Sequence, residues 1–468
     1  MAHASVLPPP PPTPFQRILS PFARFIRTES AGGIVLITCT LLALGWANSP
    51  WQESYHHFWE TTVSVGFGDL ALSYSLHHWI NDALMAVFFF LVGLEIKREI
   101  LVGELASLKR ASLPIAAAIG GMVVPALLYT AVNAGGAGAR GWGIPMATDI
   151  AFALGVLALL GPRTPLALKV FLAALAIVDD IGAVLVIAVF YTASISWTAL
   201  GAAAVFMAAL MLANYLGARS PLLYLLLGIL LWVAFLKSGI HATVAGVLSA
   251  MAIPARTRID TYEFLARGRR VLDHFEAAGE EGKDILTNRG QLAAIEEMER
   301  SCEAAQAPLQ RIELDLHYWV AFAIIPLFAL ANAGVHLSSD LGAAFSNPVT
   351  LGVILGLVVG KPVGITLFAW AAVRLHIADL PFGVRWSAVG GVAFLGGIGF
   401  TMSLFISALA FPGMPEMNDA AKIGIFAASL VAGILGWLTL SRQAASPVLA
   451  AHDPADVRAP APAPGAYG

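Results

Sequence analysis

Charge is scarce in this chain. Of its 468 residues only 12% are Asp, Glu, Lys or Arg, against 58% that are apolar, and the mean hydropathy is +0.76. So little polar surface cannot cover a soluble globule, and the chain belongs in lipid. The net charge of -3 is spread over loops, which argues against a nucleic-acid partner. Cysteine is nearly absent as well. Cys39 falls in an apolar run and Cys302 in a charged one, which leaves neither a disulfide framework nor a thiolate zinc site. Also missing is a small-residue cleavage pattern behind Arg17, Arg24 and Arg27. The first apolar run is therefore expected to be retained, and residues 1–30, with the proline-rich tract from Pro8 to Pro14, to form a disordered cytoplasmic lead.

What is abundant is apolar sequence in lengths of about 20 residues, enough to cross roughly 30 Å of hydrocarbon as helix. Such runs lie at 31–48, 79–96, 112–133, 143–161, 165–191, 196–215, 220–236, 238–253, 316–336, 350–374, 387–411 and 418–440. They predict an all-α membrane protein of twelve transmembrane helices, numbered here as spans 1 to 12, in a single domain over 31–440 with a disordered cytoplasmic tail over 441–468. With an even count and the N-terminus inside, alternate loops are cytoplasmic, and the positive residues follow that alternation. Lys97, Arg98, Lys109, Arg110, Arg163, Lys169, Arg219, Arg374, Arg385 and Arg442 fall inside, whereas the outer loops at 49–78, 192–195, 337–349 and 412–417 contain no Lys or Arg, 134–142 only Arg140 and the turn after span 7 only Lys237.

Two segments lie outside the bilayer. In 49–78, Val63, Val65, Phe67, Leu70 and Leu72 alternate around Gly66 and Gly68, which predicts a short outer β-hairpin; alone it is marginal, so it is expected to pair with something. Residues 254–315 form a charged cytoplasmic loop whose middle has the pattern of amphipathic helix.

Ionisable side chains at the bilayer centre cost about 2.5 to 3.5 kcal/mol each, so those retained there are functional candidates. They are Asp149 in span 4, Asp179 and Asp180 in span 5, Lys361 in span 10 and, nearer the outer interface, His241 at the start of span 8. Successive helix positions differ by about 100°, so Asp179 and Asp180 cannot both face one line: one is placed to ion-pair while the other faces a water-filled cavity. Acids this close cannot both be ionised cheaply, which makes the pair a place where a proton and a hard cation compete for the same oxygens. Lys361 has roughly ten apolar residues on either side, about 15 Å of helix, too far for its stem to reach the interface; it is the expected counter-charge. His241 reads equally as a structurally bonded histidine and as a proton-handling one.

Backbone breakers sharpen the site. Span 4 runs GWGIPMATDIAFALG (141–155), with Pro145 and Thr148 before Asp149, and span 11 runs GGVAFLGGIGFTMSLF (390–405). Broken spans of this kind mark a midplane site in transporters, where the partial charges of half-helix ends are balanced by side chains. Asp149 would balance positive ends and Lys361 negative ones, although the glycines of span 11 also serve close helix packing.

The motifs WINDALMAVFFFLVGLEIKREI (79–100), ATDIAFALGVLALLG (147–161), LAIVDDIGA (175–183), LKSGIHATVAG (236–246), IPLFALANAGV (325–335), VGKPVGI (359–365) and GIGFTMSLFI (397–406) resemble, in order over about residues 15–440, the NhaA family of bacterial Na⁺/H⁺ antiporters. The resemblance implies an inverted-repeat fold in which spans 3–5 and 10–12 correspond and spans 4 and 11 cross as interrupted helices. It implies a sodium site at Asp179 and Asp180 with Asp149 and Thr148, Lys361 as partner of Asp179, and Asp82 in the outward cation funnel. Glu95, Arg98, Glu99, His241, Arg311, Glu313 and His317 match positions linked to the cytoplasmic funnel or pH response. It also implies a bacterial inner-membrane location, a homodimer through the outer hairpin, and no cofactor. The segment between spans 8 and 9 is longer here than in the shortest members.

The expected activity is electrogenic exchange of cytoplasmic Na⁺, and of Li⁺, for external H⁺, favoured at alkaline pH and serving sodium extrusion and pH regulation. A passive cation channel is the physical neighbour of this reading. Two rivals are an intramembrane aspartyl protease, from the GxGD arrangement of Gly66 to Asp69, which falls in a polar loop, and a retinal-type pump with Lys361 as a Schiff base, although Gly and Val surround that lysine.

Overall fold

The computed structural model describes residues 31–444 apart from 67–70, 162–163, 193–194, 281–283, 337–340 and 382. The lead over 1–30, nearly all of the tail, Arg163 and the Asp69 end of the GxGD arrangement lie outside the described residues.

Among the described residues, eight helices are long and apolar enough to cross a membrane singly: Leu76–Val102, Leu108–Asn133, Leu166–Phe190, Trp197–Tyr215, Pro221–Ser238, Pro308–Asn332, Pro348–Arg374 and Pro415–Arg442. They correspond to spans 2, 3, 5, 6, 7, 9, 10 and 12. Counting each of three bent pairs as one span raises the number to eleven. Two of these pairs are spans 4 and 11. The third joins span 1, Ala31–Ala47, to an outer helix, Gln52–Glu60, at 114°.

The structure therefore departs from twelve full spans at span 8. Its helix is only Val244–Ala252, nine residues or about 14 Å. Upstream, Gly239 ends span 7 in the left-handed conformation, which glycine adopts without steric cost, and the chain stays irregular through His241. Downstream, the Lys97 ammonium of span 2 donates to the carbonyls of Met251 and Ile253 and closes the helix.

The outer segment holds the expected hairpin, β1 (Thr62–Val65) antiparallel to β2 (Leu72–Ser75), with Thr62 opposite Ser75 and Val65 opposite Leu72. It also holds the outer helix Gln52–Glu60, which the alternation argument did not foresee. Tyr55 of that helix fixes it by donating to the carbonyls of Leu330 and Ala331 and accepting from the Gly334 N–H. In the charged segment, Thr261–Ala277 and Arg289–Ala305 form two amphipathic helices packed on each other, capped by Asp260 and Asn288.

Among the described residues, three spans contain a π-helical turn: Trp79–Leu84 in span 2, Val320–Ile324 in span 9 and Leu355–Gly360 in span 10. The first contains Asp82 and the last ends against Lys361. Such insertions recur at functional sites. Spans 3 and 10 touch through Gly120 and Gly364, where a side-chain carbon on either would strike the other's carbonyl.

The break of span 11 has no spare room. A Cβ on Gly397 would lie 2.5 Å from the Leu357 carbonyl oxygen and 3.0 Å from that of Phe394, both backbone atoms. Gly397→Val is expected to destabilise the protein by about 1–3 kcal/mol or to prevent its accumulation. Gly33→Ala, with nothing within 4 Å of the new carbon, is expected to be neutral or stabilising. Thermal melting of the two purified variants checks the contrast.

Candidate functional site

Span 4 begins as the 3₁₀ segment Ala137–Met146 around Pro145, runs extended through Ala147–Asp149, and resumes as the helix Ile150–Leu159; span 11 runs Trp386–Gly396, breaks at Gly397–Gly399, and resumes as Phe400–Ala410. Each bends by 46° at its break. A break leaves helix-end N–H and C=O groups without intrahelical partners, and in hydrocarbon no water supplies them. Here each span supplies the other. The Asp149 N–H donates to the Ile398 carbonyl at 2.7 Å, and the Ser403 hydroxyl donates to the Ile144 carbonyl at 2.8 Å.

Asp149 closes two helix ends at once. One carboxylate oxygen accepts from the Phe152 N–H at 3.0 Å and caps Ile150–Leu159. The other accepts from the Thr401 N–H at 3.1 Å and from the Thr401 hydroxyl, at the start of Phe400–Ala410. A carboxylate between two helix N-termini suits the positive end of each helix dipole. Lys361 does the converse: its ammonium donates to the carbonyl of Met146, where the first half of span 4 ends.

Lys361 and Asp179 are both fully buried and pair at 2.7 Å. Removing two such charges from water costs several kcal/mol per ion, which only close geometry and further hydrogen bonds offset. Thr148 provides one of those bonds. Its hydroxyl lies 2.6 Å from Asp179 Oδ2 and 2.9 Å from the Gly396 carbonyl. A hydroxyl has one proton to give. Thr148 can donate to ionised Asp179, or donate to Gly396 while a protonated Asp179 donates to it, so this contact persists in both protonation states.

Asp180, buried beside Asp179, has no such support. Its Oδ1, and Oδ1 of Asp179, are buried without a hydrogen-bond partner. The strongest like-charge neighbour of Asp180 is Asp179, followed by Glu95 and Asp149. Asp179 and Asp180 thus face one lysine among buried groups, each with an Oδ1 left over to take a proton or a hard cation. Among the described residues, no group of three or more His, Cys, Asp or Glu is arranged to hold a metal by itself.

The other sequence candidates form two further groups. At the end of spans 2 and 9, Arg98 pairs with Glu313, Glu95 and His317 lie within electrostatic reach of that pair, and Glu99 accepts from the Glu104 N–H. Arg311 is not among them. It points the other way along its helix and pairs at 2.8 Å with Glu303 of the charged segment. At the opposite end, Asp82 receives His78 at 2.9 Å and His241 at 3.3 Å. His241 therefore belongs with Asp82 and not with the Arg98 group.

Thr401 and His78 escaped the sequence reading. For Thr401 the only signal was a hydroxyl in the first turn after a glycine break, which does not name its partner. For His78 it was spacing, four residues before Asp82 on one helix face. Lys361→Ala is expected to cost about 3–5 kcal/mol by leaving Asp179 buried and unpaired. Adding Asp179→Asn is expected to restore part of that loss, as read from melting of the purified single and double variants.

A family model described as Na⁺/H⁺ antiporter 1 matches residues 23–440. The Na⁺/H⁺ antiporter NhaA of Oleidesulfovibrio alaskensis is 53% identical over 429 residues, 92% of this chain and 95% of its own. The Na⁺/H⁺ antiporter NhaA 2 of Syntrophotalea carbinolica is 53% identical over 426 residues, covering 91% and 97%. NhaA 2 of Sorangium cellulosum is 47% identical over 444 residues, 94% of each chain. With two crossed, broken spans around buried acids and matches of this extent, the chain belongs to the NhaA family of Na⁺/H⁺ antiporters.

Proposed function

We propose that the chain extrudes cytoplasmic Na⁺ against entering protons by alternating access at Asp179 and Asp180. Antiport is the function of the family, which also decides against the protease and the retinal pump. The single observation that carries the residue assignment is the pair of unpartnered, buried Oδ1 atoms on adjacent acids. Each needs a proton or a cation, and the two compete.

In this cycle Na⁺ is the cargo. Oxygens of Asp180, Asp179 and Thr148 receive it from the cytoplasmic side, while Asp149 holds the crossing in shape. Protons leave the acids as Na⁺ arrives, the site reorients, and external protons return. With two acids able to release a proton each, more than one proton can be exchanged for one Na⁺. Such exchange is electrogenic, and the membrane potential then drives sodium outward. Deprotonation must precede binding, so turnover is expected to rise toward alkaline pH. Li⁺, another small hard cation, is expected to substitute.

We further place twelve spans in the membrane with both termini cytoplasmic. The alternation of loop charges supports this count, with the nine-residue helix of span 8 and its irregular approach making one crossing. Spans 3–5 and 10–12 each contain one broken helix at the same ordinal position, as an inverted repeat requires. The free edges of the hairpin, with Val63 and Val65 exposed, offer strand pairing to a second copy, which supports a homodimer in the bacterial inner membrane.

Asp180→Asn is expected to abolish Na⁺-dependent proton flux in sealed vesicles. Because Asp180 makes no ion pair, melting is expected to stay at the wild-type temperature or above. Normal flux in this variant would remove the assignment. A channel would equilibrate Na⁺ without accumulating it, so uphill Na⁺ movement on an imposed proton gradient separates the two mechanisms. Turnover that peaks in acid and dies above neutrality would count against competition for the acids.

A further inference from the structure

The mouth that the loop charges assign to the outside contains an arrangement separate from the Asp179 and Asp180 site. Asp82 sits in the π turn of span 2, its side chain 12% exposed, with one imidazole at each oxygen: His78 Nε2 at Oδ2 and His241 Nε2 at Oδ1. The two histidines differ. His241 is nearly enclosed at 13% exposure, and its Nδ1 accepts from the Thr243 N–H at 3.4 Å, 2.8 Å from the Thr243 hydroxyl. An accepting Nδ1 places that ring's proton on Nε2, aimed at Asp82. His78 is 41% exposed, so of the three it alone meets water broadly.

The groups around His78 are few. Tyr74 of β2 stacks on its ring at a centroid distance of 4.3 Å, and His77 precedes it, bonding Asn332 of span 9 and feeling Lys422 of span 12. The Trp232 indole of span 7 donates to the Asp82 carbonyl at 3.3 Å. His241 in turn sets its ring edge against Phe405 of span 11, one turn beyond Thr401, which holds Asp149.

We propose that His78 is the residue through which external protons enter the exchange cycle, passing them to Asp82, with His241 as the positioning residue that orients Asp82 to receive them. This rests on the antiport reading. A proton from outside water binds Nδ1 of neutral His78 and gives the imidazolium. Nε2 lies 2.9 Å from Asp82 Oδ2 without the alignment of a hydrogen bond, so a turn of the ring brings its proton onto that oxygen, leaving a neutral ring protonated on Nδ1 and a neutral carboxyl group. Asp82 releases that proton inward and returns to the carboxylate. The exposed ring regains its first tautomer by exchange with water, so one proton has entered and one has moved on.

The test uses right-side-out membrane vesicles of the full chain, loaded with radioactive sodium, with the lumen pH clamped and the outer pH lowered stepwise. Wild-type efflux is expected to accelerate as the outside becomes acid. His78→Ala, which leaves an open space beside water, is expected to lose that acceleration and regain it when imidazole is added to the outer medium. His78→Gln keeps a donor for Asp82 but cannot carry a proton, and is expected to lose the acceleration at normal protein level and melting temperature. His57→Ala, on the outer helix, is the matched control with wild-type response. Acceleration retained in both His78 variants overturns the proposal, and so does a loss in the alanine variant that imidazole leaves unchanged. Absence of proton-driven efflux in the wild type would remove the antiport reading itself, whereas failure confined to the variants removes only the relay.

Discussion

Two chain breaks in the middle of a membrane protein release backbone groups where no water can satisfy them, and the interior is arranged around this constraint. The crossing of spans 4 and 11 answers it reciprocally, through Asp149 N–H to Ile398 and Ser403 to Ile144. The remaining ends call for charge. Asp149 is placed where two helices begin, and Lys361 where a 3₁₀ segment ends. Once Lys361 is inside, it needs an anion, and Asp179 provides it. The buried ion pair thus follows from the broken helices, and its cost is divided between electrostatics and backbone satisfaction.

Asp180 stands outside this accounting. It pairs with nothing, caps nothing and sits beside a charge of its own sign, so it contributes least to holding the site together. A group that carries cargo needs that freedom. Were Asp180 locked in an ion pair as good as that of Asp179, exchange would require breaking a bond that also maintains the fold. In the proposed cycle the two duties fall on adjacent residues whose helix directions differ by about 100°.

Much of this was legible in the sequence because lipid makes rules strict. Apolar run length marked most spans, and the rarity of buried charge singled out Asp149, Asp179, Asp180 and Lys361. Pro145 and the glycines of span 11 marked the breaks, since no other residues serve them as well. Legibility failed where the determinant was a contact between distant segments. Nothing in the local pattern told that Thr401 would meet Asp149, 252 residues away. Likewise, span 8 shortens because Lys97 of another helix caps it. Arg311 and Glu313 are two positions apart on one helix, hence on different faces, and each pairs with a different segment, a geometry that the resemblance did not specify. The outer helix Gln52–Glu60 was missed because its polar sequence gains its place from Tyr55 docking on span 9.

The π turns carry a consequence for how these helices are used across the bilayer. One inserted residue advances the side-chain rotation by about 100°, so a span that presents one face to its neighbours in the outer leaflet presents a different face in the inner leaflet. In span 10 the turn Leu355–Gly360 comes immediately before Lys361. Its small-residue seam against span 3 runs on past the turn, through Gly360 and Gly364, while Lys361 between them turns an ammonium toward Asp179 of span 5. A regular helix of the same composition would have to choose one surface for its whole length, and an insertion of a single residue gives this one two.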